Sequence, residues 1–146
     1  MTDKRVWVNV EVAIVRDGRY LMIERGAGES HGAGWLGFPG GTLKPEVAID
    51  ALVSTARREV REEVGLELQG EVEHVESHTF ALDVGLVLDV VMLTKSSDGK
   101  ARAQDADEVA AFSWMTPEEI RHDRRVQPFT LASLVLCEAK RALLDW

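Results

Sequence analysis

Hydrophobic and polar positions along this chain switch between two periods. Val6-Trp7-Val8-Asn9-Val10-Glu11-Val12-Ala13-Ile14-Val15 is rich in β-branched residues and partly alternating, which predicts a strand. Asp17-Gly18 is a hairpin turn signal, and Tyr20 to Glu24 returns as a second strand. Gly26 to Gly34 is a glycine-rich loop, followed by the short apolar stretch Trp35-Leu36-Gly37-Phe38-Pro39-Gly40-Gly41 and a sharp turn. From Pro45 to Val64 the period becomes helical. Ile49, Leu52, Val53, Ala56, Val60 and Val64 fall on one face, and Gly65 stands where a left-handed glycine ends a helix. Glu67 to Val75, His78 to Leu82, Leu86 to Lys95 and Ala110 to Trp114 read as strands, with a turn at Ser96 to Gly99. Thr116-Pro117-Glu118-Glu119 is a helix start, with threonine as N-cap, proline at N1 and glutamate at N3. Thr130 to Leu144 is a last helix, its core stripe formed by Leu131, Leu134, Val135, Ala139 and Ala142. Strands with two long helices far apart in sequence predict a sheet covered by helices on its faces.

Composition narrows the class. At 146 residues the chain is expected to form a single domain over 1–146, and 45% apolar content supplies one hydrophobic core. The single cysteine, Cys137, excludes a disulfide scaffold and is expected as a packed thiol. No apolar run is long enough to cross a bilayer, and Met1-Thr2-Asp3-Lys4-Arg5 runs into the first strand without a signal-peptide core. A soluble, cytoplasmic protein without membrane partners is expected. Lys plus Arg total 17 against 25 acidic residues, a net charge of −8. That surface repels a phosphate backbone, so duplex nucleic acid is not an expected partner. Small polyphosphates stay open, because a divalent cation reverses the local field.

The acids matter most within Arg57-Arg58-Glu59-Val60-Arg61-Glu62-Glu63-Val64-Gly65-Leu66. On a helical wheel Glu59, Glu62 and Glu63 occupy one sector at the edge of the apolar face, while Arg57 and Arg61 point away. Glu59 and Glu63 repel at i,i+4, and Glu62 and Glu63 lie in the last turn, where the helix dipole disfavours anions by about 0.3–1 kcal/mol. Arg58 with Glu62 offsets only part of this. A helix selected for stability alone would carry lysine there. A hard cation resolves the conflict, because Mg²⁺ takes carboxylate oxygens together with a substrate phosphate. A solvated acidic face is the competing reading.

The segment Arg58-Glu59-Val60-Arg61-Glu62-Glu63-Val64-Gly65-Leu66, with Gly41 upstream, resembles the signature G-x5-E-x7-R-E-U-x-E-E-x-G-U of the Nudix hydrolases, the MutT-like proteins. Trp35 to Gly41 is similar to the family's lead-in, and Asp107-Glu108, Trp114 and Pro117-Glu118-Glu119-Ile120 resemble its later pattern. Three more residues separate Gly41 from Arg58 than in the signature, so the first signature acid falls on Glu46 when counted forward from Gly40 and on Asp50 when counted back from Arg58. The resemblance implies an α/β/α sandwich with a mixed β-sheet between helices. It implies hydrolysis of a nucleoside diphosphate linked to another group, with Mg²⁺ or Mn²⁺ as cofactor and a small-molecule nucleotide as partner. Nucleoside triphosphates come first, then ADP-ribose or dinucleotides. Carried over by position, Gly40 (through its carbonyl), Glu59, Glu62 and Glu63 are metal ligands. Glu59, Glu63 and Glu108 are the catalytic acids, with Arg58 orienting them.

Other features weigh less. Gly32-Ala33-Gly34-Trp35-Leu36-Gly37 matches G-x-G-x-x-G but does not open a helix, and no P-loop follows any glycine run. His74 and His78 read as surface or loop histidines, and His31 as a solvated loop histidine. Trp114 is expected in the core, with base stacking as the alternative; Trp7 and Trp146 are candidates for the core, for stacking or for a homodimer contact. Two rival classes remain: a Nudix-fold module that binds a nucleotide without turnover, and a structural protein with an acidic helix.

Overall fold

The computed structural model describes residues 5–146 apart from Val84 and Ser97. Residues 1–4, part of the lead-in read as free of a signal peptide, and Ser97, within the turn expected at Ser96 to Gly99, lie outside the described residues. Strand β1 (Val6–Arg16) is the axis of a mixed sheet. It runs parallel to β6 (Gly85–Lys95) from Val6 opposite Leu86 to Val15 opposite Lys95. β6 pairs antiparallel with β5 (Val72–Leu82). The other edge of β1 is shared. Asn9, Val10 and Glu11 pair with β4 (Gly40–Thr42), and further along β1 turns through Asp17-Gly18 into β2 (Arg19–Arg25). Both turn residues have positive φ, 51° and 74°, the primed geometry that matches strand twist. β2 carries β3 (Leu36–Gly37) and β7 (Val109–Met115) on its edges.

Both faces of β1 are covered, which is why its sequence does not alternate cleanly. Val10, Val12 and Ile14 pack with Ala56, Val60 and Val64 of helix α1 (Ala51–Val64). Ala13 and Val15 pack with Ile120 of α2 (Pro117–His122) and with Leu134 and Cys137 of α3 (Pro128–Leu144). The result is the α/β/α sandwich with a mixed sheet between helices. Among the described residues no helix is long and apolar enough to cross a membrane.

Several expectations are corrected in detail. α1 begins at Ala51, not Pro45: Asp50 takes a left-handed conformation at the N-cap, and Ile49, placed on the apolar face by periodicity, is 91% exposed. Glu67 to Glu71 is not strand, and the two expected strands on either side of His78 are one, β5, with a bulge between His74 and Glu76. The bulge changes the side-chain parity, so His74 and His78 do not share a face by simple alternation. α3 starts at Pro128, where proline occupies the first turn. The helix start at Thr116 is as read, with its hydroxyl accepting from the Glu119 N–H at 3.1 Å.

Leu134 is fully buried in the layer under α3. Leu134→Ala is expected to lower stability by about 2–5 kcal/mol in urea unfolding. A change within experimental error would remove α3 from the core.

Candidate active site

The site lies where the C-terminal half of α1 meets β4. The Gly40 N–H donates to Glu63 Oε1 at 2.7 Å. A side chain on Gly40 would overlap the Val10 carbonyl, and one on Gly41 would overlap the Glu59 carboxylate. The glycine pair therefore lets β4 lie against β1 and α1 at once. Arg58 ties the same two elements together: its Nη2 donates to the Thr42 carbonyl and to Glu59 Oε1, both at 3.0 Å.

These groups open onto a cavity of about 310 Å³ that Glu59, Glu63, Glu108 and Arg25 line. Glu108 comes from the loop before β7. That loop is held by the glycine-rich segment: the Gly26 N–H donates to the Glu108 carbonyl at 2.8 Å and the Gly28 N–H to the Asp107 carbonyl at 3.0 Å. Asp105 caps its own turn by accepting from the Asp107 N–H. Arg25 is oriented by the His31 carbonyl at 2.8 Å and by Glu29 at 2.9 Å, and brings a cation into an otherwise anionic wall.

The expected acid sector of α1 is split. Glu63 is 7% exposed, whereas the Glu62 side chain is 52% exposed, with its carboxylate 3.9 Å from Arg58 Nε. Glu62 does not line the cavity, while Glu59, Glu63, Glu108 and Gly40 do. Glu46 and Asp50 are both exposed in the loop before α1, and neither lines the cavity. The three residues beyond the signature spacing are thus taken up in that loop and do not lengthen the helix.

Crowding of carboxylates raises their proton affinity. Burial pushes Glu63 up to about 8; the Gly40 N–H opposes this, and the Glu59 and Glu108 charges add to it. Burial also raises Glu59, against the Arg58 hydrogen bond, and raises Glu108 together with Asp105 and Glu29. Glu11, another cavity residue, is held well above the usual carboxylate range by burial and by Asp89. The donor set is hard oxygen throughout. Among the described residues no three acidic, histidine or cysteine side chains are close enough to enclose an ion. An open, oxygen-lined wall still fits Mg²⁺, which keeps several waters and combines one or two carboxylates with substrate phosphates.

Sequence reasoning missed Asn9, Glu11, Arg25 and Phe38, all of which line the cavity. The available signal was a polar residue interrupting an apolar strand, as at Asn9 and Glu11 in β1 and at Asp89 in β6. His78, in strand β5, has a side chain 30% exposed and is tied into the sheet: its Nδ1 lies 3.2 Å from Glu76 Oε2 and its Nε2 3.6 Å from the buried Asp89. Cys137 is a packed thiol, and burial pushes it up to about 12. Trp114 is partly buried at the edge of the core, under the Arg16 guanidinium at 4.7 Å. His31 serves the site through its backbone carbonyl, which accepts from Arg25.

Fold and cavity together define an α/β/α sandwich with an acid-lined cavity where α1 meets β4. The NUDIX domain profile matches residues 6–133, and the chain belongs to that family of hydrolases acting on nucleotide-type substrates. No curated protein matches the chain at a significant level. Among solved structures it is similar to the E. coli ORF135 protein, at 27% identity and TM-score 0.75, covering 96% of this chain and 94% of that one. The MutT protein from Methanosarcina mazei is similar at 20% identity and TM-score 0.82, covering 97% and 99%. The NUDIX domain of Shewanella oneidensis NrtR, solved in complex with ADP ribose, is similar at 19% identity and TM-score 0.69, covering 99% and 90%.

A carboxyl raised from 4.5 to about 8 on folding favours the native state fully below 4.5, and that contribution is lost as pH rises through about 8. Metal-free protein is therefore expected to lose stability between about pH 5 and about pH 9 in urea unfolding, with a shallower loss in Glu63→Gln. Parallel curves for the two proteins would contradict the assignment.

Proposed function

We propose that this protein is a divalent-metal-dependent pyrophosphohydrolase that cleaves a nucleoside diphosphate linked to another group. Nucleoside triphosphates are the first substrate class, ADP-ribose or a dinucleotide the next. The observation that carries this reading is the convergence of Glu59, Glu63 and Glu108 with Arg25 on one cavity, beside the open backbone of Gly40 and Gly41. Gly40, through its carbonyl, and Glu59 and Glu63 would hold Mg²⁺ or Mn²⁺, and Glu62 would join them by turning from Arg58 into the cavity. When bound, the ion supplies neutralisation of the diphosphate charge and acidifies the attacking water.

The chain's own groups do the positioning. Arg25 takes a phosphate oxygen of the substrate. Glu63, pinned by the Gly40 N–H, fixes one carboxylate against β4. Glu59 orients the water and receives its proton, with Glu108 across the cavity as the second candidate for that role. Water oxygen bonds to phosphorus, the phosphoanhydride P–O bond breaks, and the leaving phosphate carries away the bond's electron pair. Arg58 is a positioning residue, holding Glu59 against Thr42. Catalysis of this kind rests on placement and charge, so small displacements are costly.

A nucleotide-binding module without turnover is the second reading. It is favoured by the loop before α1, which leaves Glu46 and Asp50 exposed and away from the cavity. The ADP ribose held by the Shewanella domain keeps ADP-ribose among the ligands to be tested.

Incubation with Mg²⁺ and triphosphates, ADP-ribose, dinucleotides and sugar nucleotides, with products read by mass, separates the two readings. Turnover of one class that falls about 100-fold or more in Glu63→Gln is expected. No turnover, with Mg²⁺ plus nucleotide still raising Tm, would favour the binding module. Gly41→Ala gives an independent check, because the added methyl displaces the flexible end of Glu59 and not backbone. It is expected to keep Tm within a few degrees while kcat falls by about 10–100-fold. Unchanged kcat would remove Glu59 from the chemistry.

A further inference from the structure

The sheet face that carries Glu11 is organised in cross-strand rows. Glu11 lies opposite Gly40, next to the carboxylate site. Two residues back along β1, on the same face, Asn9 lies opposite Asp89, which in turn lies opposite His78. Two residues further, Trp7 lies opposite Val87, and Val87 opposite Phe80. Trp7 is 43% exposed and Phe80 39% exposed, so this last row is an aromatic edge open to solvent. The Asn9 row is about 7 Å from the Gly40 row by strand rise, and the aromatic row about 13 Å. A substrate whose diphosphate sits at Gly40 and Glu63, with its nucleoside directed along this face, would reach the Asn9 and Trp7 rows.

Asp89 in the middle row is 1% exposed. Its Oδ1 accepts from Asn9 Nδ2 at 2.6 Å, and its Oδ2 has no hydrogen-bond partner, standing 3.6 Å from an unpartnered His78 Nε2. A buried carboxylate with so few donors contributes little to stability, and apolar residues in its place would serve the core as well. What it does accomplish is to fix an amide. A carboxylate only accepts, so the Asn9 NH₂ must face it; the flipped amide would set two oxygens against each other. Asn9 lines the cavity, and with its Nδ2 committed to Asp89 the amide presents its Oδ1 away from that carboxylate. The network thus presents one oriented acceptor to the nucleoside end of the cavity.

We propose that Asn9, locked by Asp89, is a specificity-determining residue that accepts from the exocyclic amino group of the substrate's base, selecting amino-bearing bases over their keto counterparts. This rests on the hydrolase reading for its setting and deepens it to a base preference. Trp7 and Phe80 flank the row that the base plane would cover. A site built to hydrogen-bond an N–H rejects the keto analogue, because its own buried polar group is then left unpaired.

The test compares kcat/KM for CTP against UTP and for ATP against ITP, each also as the 2′-deoxy form. Wild type is expected to favour the amino member of at least one pair by about tenfold or more. Asn9→Leu is expected to bring that ratio to within about twofold by lowering the amino member alone. Because Asn9→Leu leaves Asp89 unpaired, the double variant Asn9→Leu with Asp89→Leu replaces both polar groups and keeps the fold measurable by circular dichroism. Equal rates for amino and keto partners in wild type would overturn the proposal while leaving the hydrolase intact, as would a ratio unmoved in the double variant. A loss confined to ribonucleotides would assign Asn9 to a ribose hydroxyl and overturn the base reading. If no triphosphate is turned over, triphosphates fail as the substrate class on their own. Calorimetric binding of CMP against UMP and AMP against IMP to the same variants then decides the base preference without any chemistry.

Discussion

One hydrogen bond, from the Gly40 N–H to Glu63 Oε1 at 2.7 Å, joins the sheet to the signature helix. It forms only because the backbone at Gly40 and Gly41 carries no side chain. A methyl on Gly40 would meet the Val10 carbonyl and one on Gly41 the Glu59 carboxylate. The apolar stripe of α1 sets the helix against Val10 and Val12, and this contact then sets its depth and rotation. Arg58 completes the brace through Thr42. The positions of Glu59 and Glu63 in the cavity follow from those constraints.

The brace also explains the electrostatics. Holding Glu63 away from water beside Glu59 and Glu108 raises its proton affinity, and the single N–H from Gly40 does not restore it. Acids away from the cavity include paired ones, as in Arg125 with Asp123 and Arg141 with Glu138. A concentrated set of reluctant carboxylates is what a hard divalent ion relieves, and the frustrated stretch is also the one that matches the Nudix signature.

Much of this was legible in the sequence because it depends on local chemistry. The strand of Val6 to Val15, the Asp17-Gly18 turn, the Thr116 cap and the core face from Leu52 to Val64 follow from periodicity and capping. The helix start did not follow, because Ile49 fits the helical spacing but the left-handed Asp50 breaks the helix before it. The bulge at His74 and Glu76 was invisible, since one inserted residue leaves no composition signal. Within the site, Glu59 and Glu63 were readable as like charges placed against the helix dipole. The pairing of Arg58 with Glu62 was readable from its i,i+4 spacing, but not that Glu62 would stay outside the cavity, because wheel angles do not report where the cavity wall ends. Asn9, Glu11 and Arg25 reach the cavity through pairing between distant strands, which no local pattern records.

The central claim is that divalent-ion binding relieves a proton-loaded Glu63. Its most direct test is calorimetric titration of Mg²⁺ or Mn²⁺ into the protein near pH 7, in two buffers of different ionisation enthalpy. With Glu63 raised to about 8, binding is expected to release close to one proton per ion. In Glu63→Gln that release should vanish. Ion binding without proton release in the wild type, or no binding at all, would contradict the account.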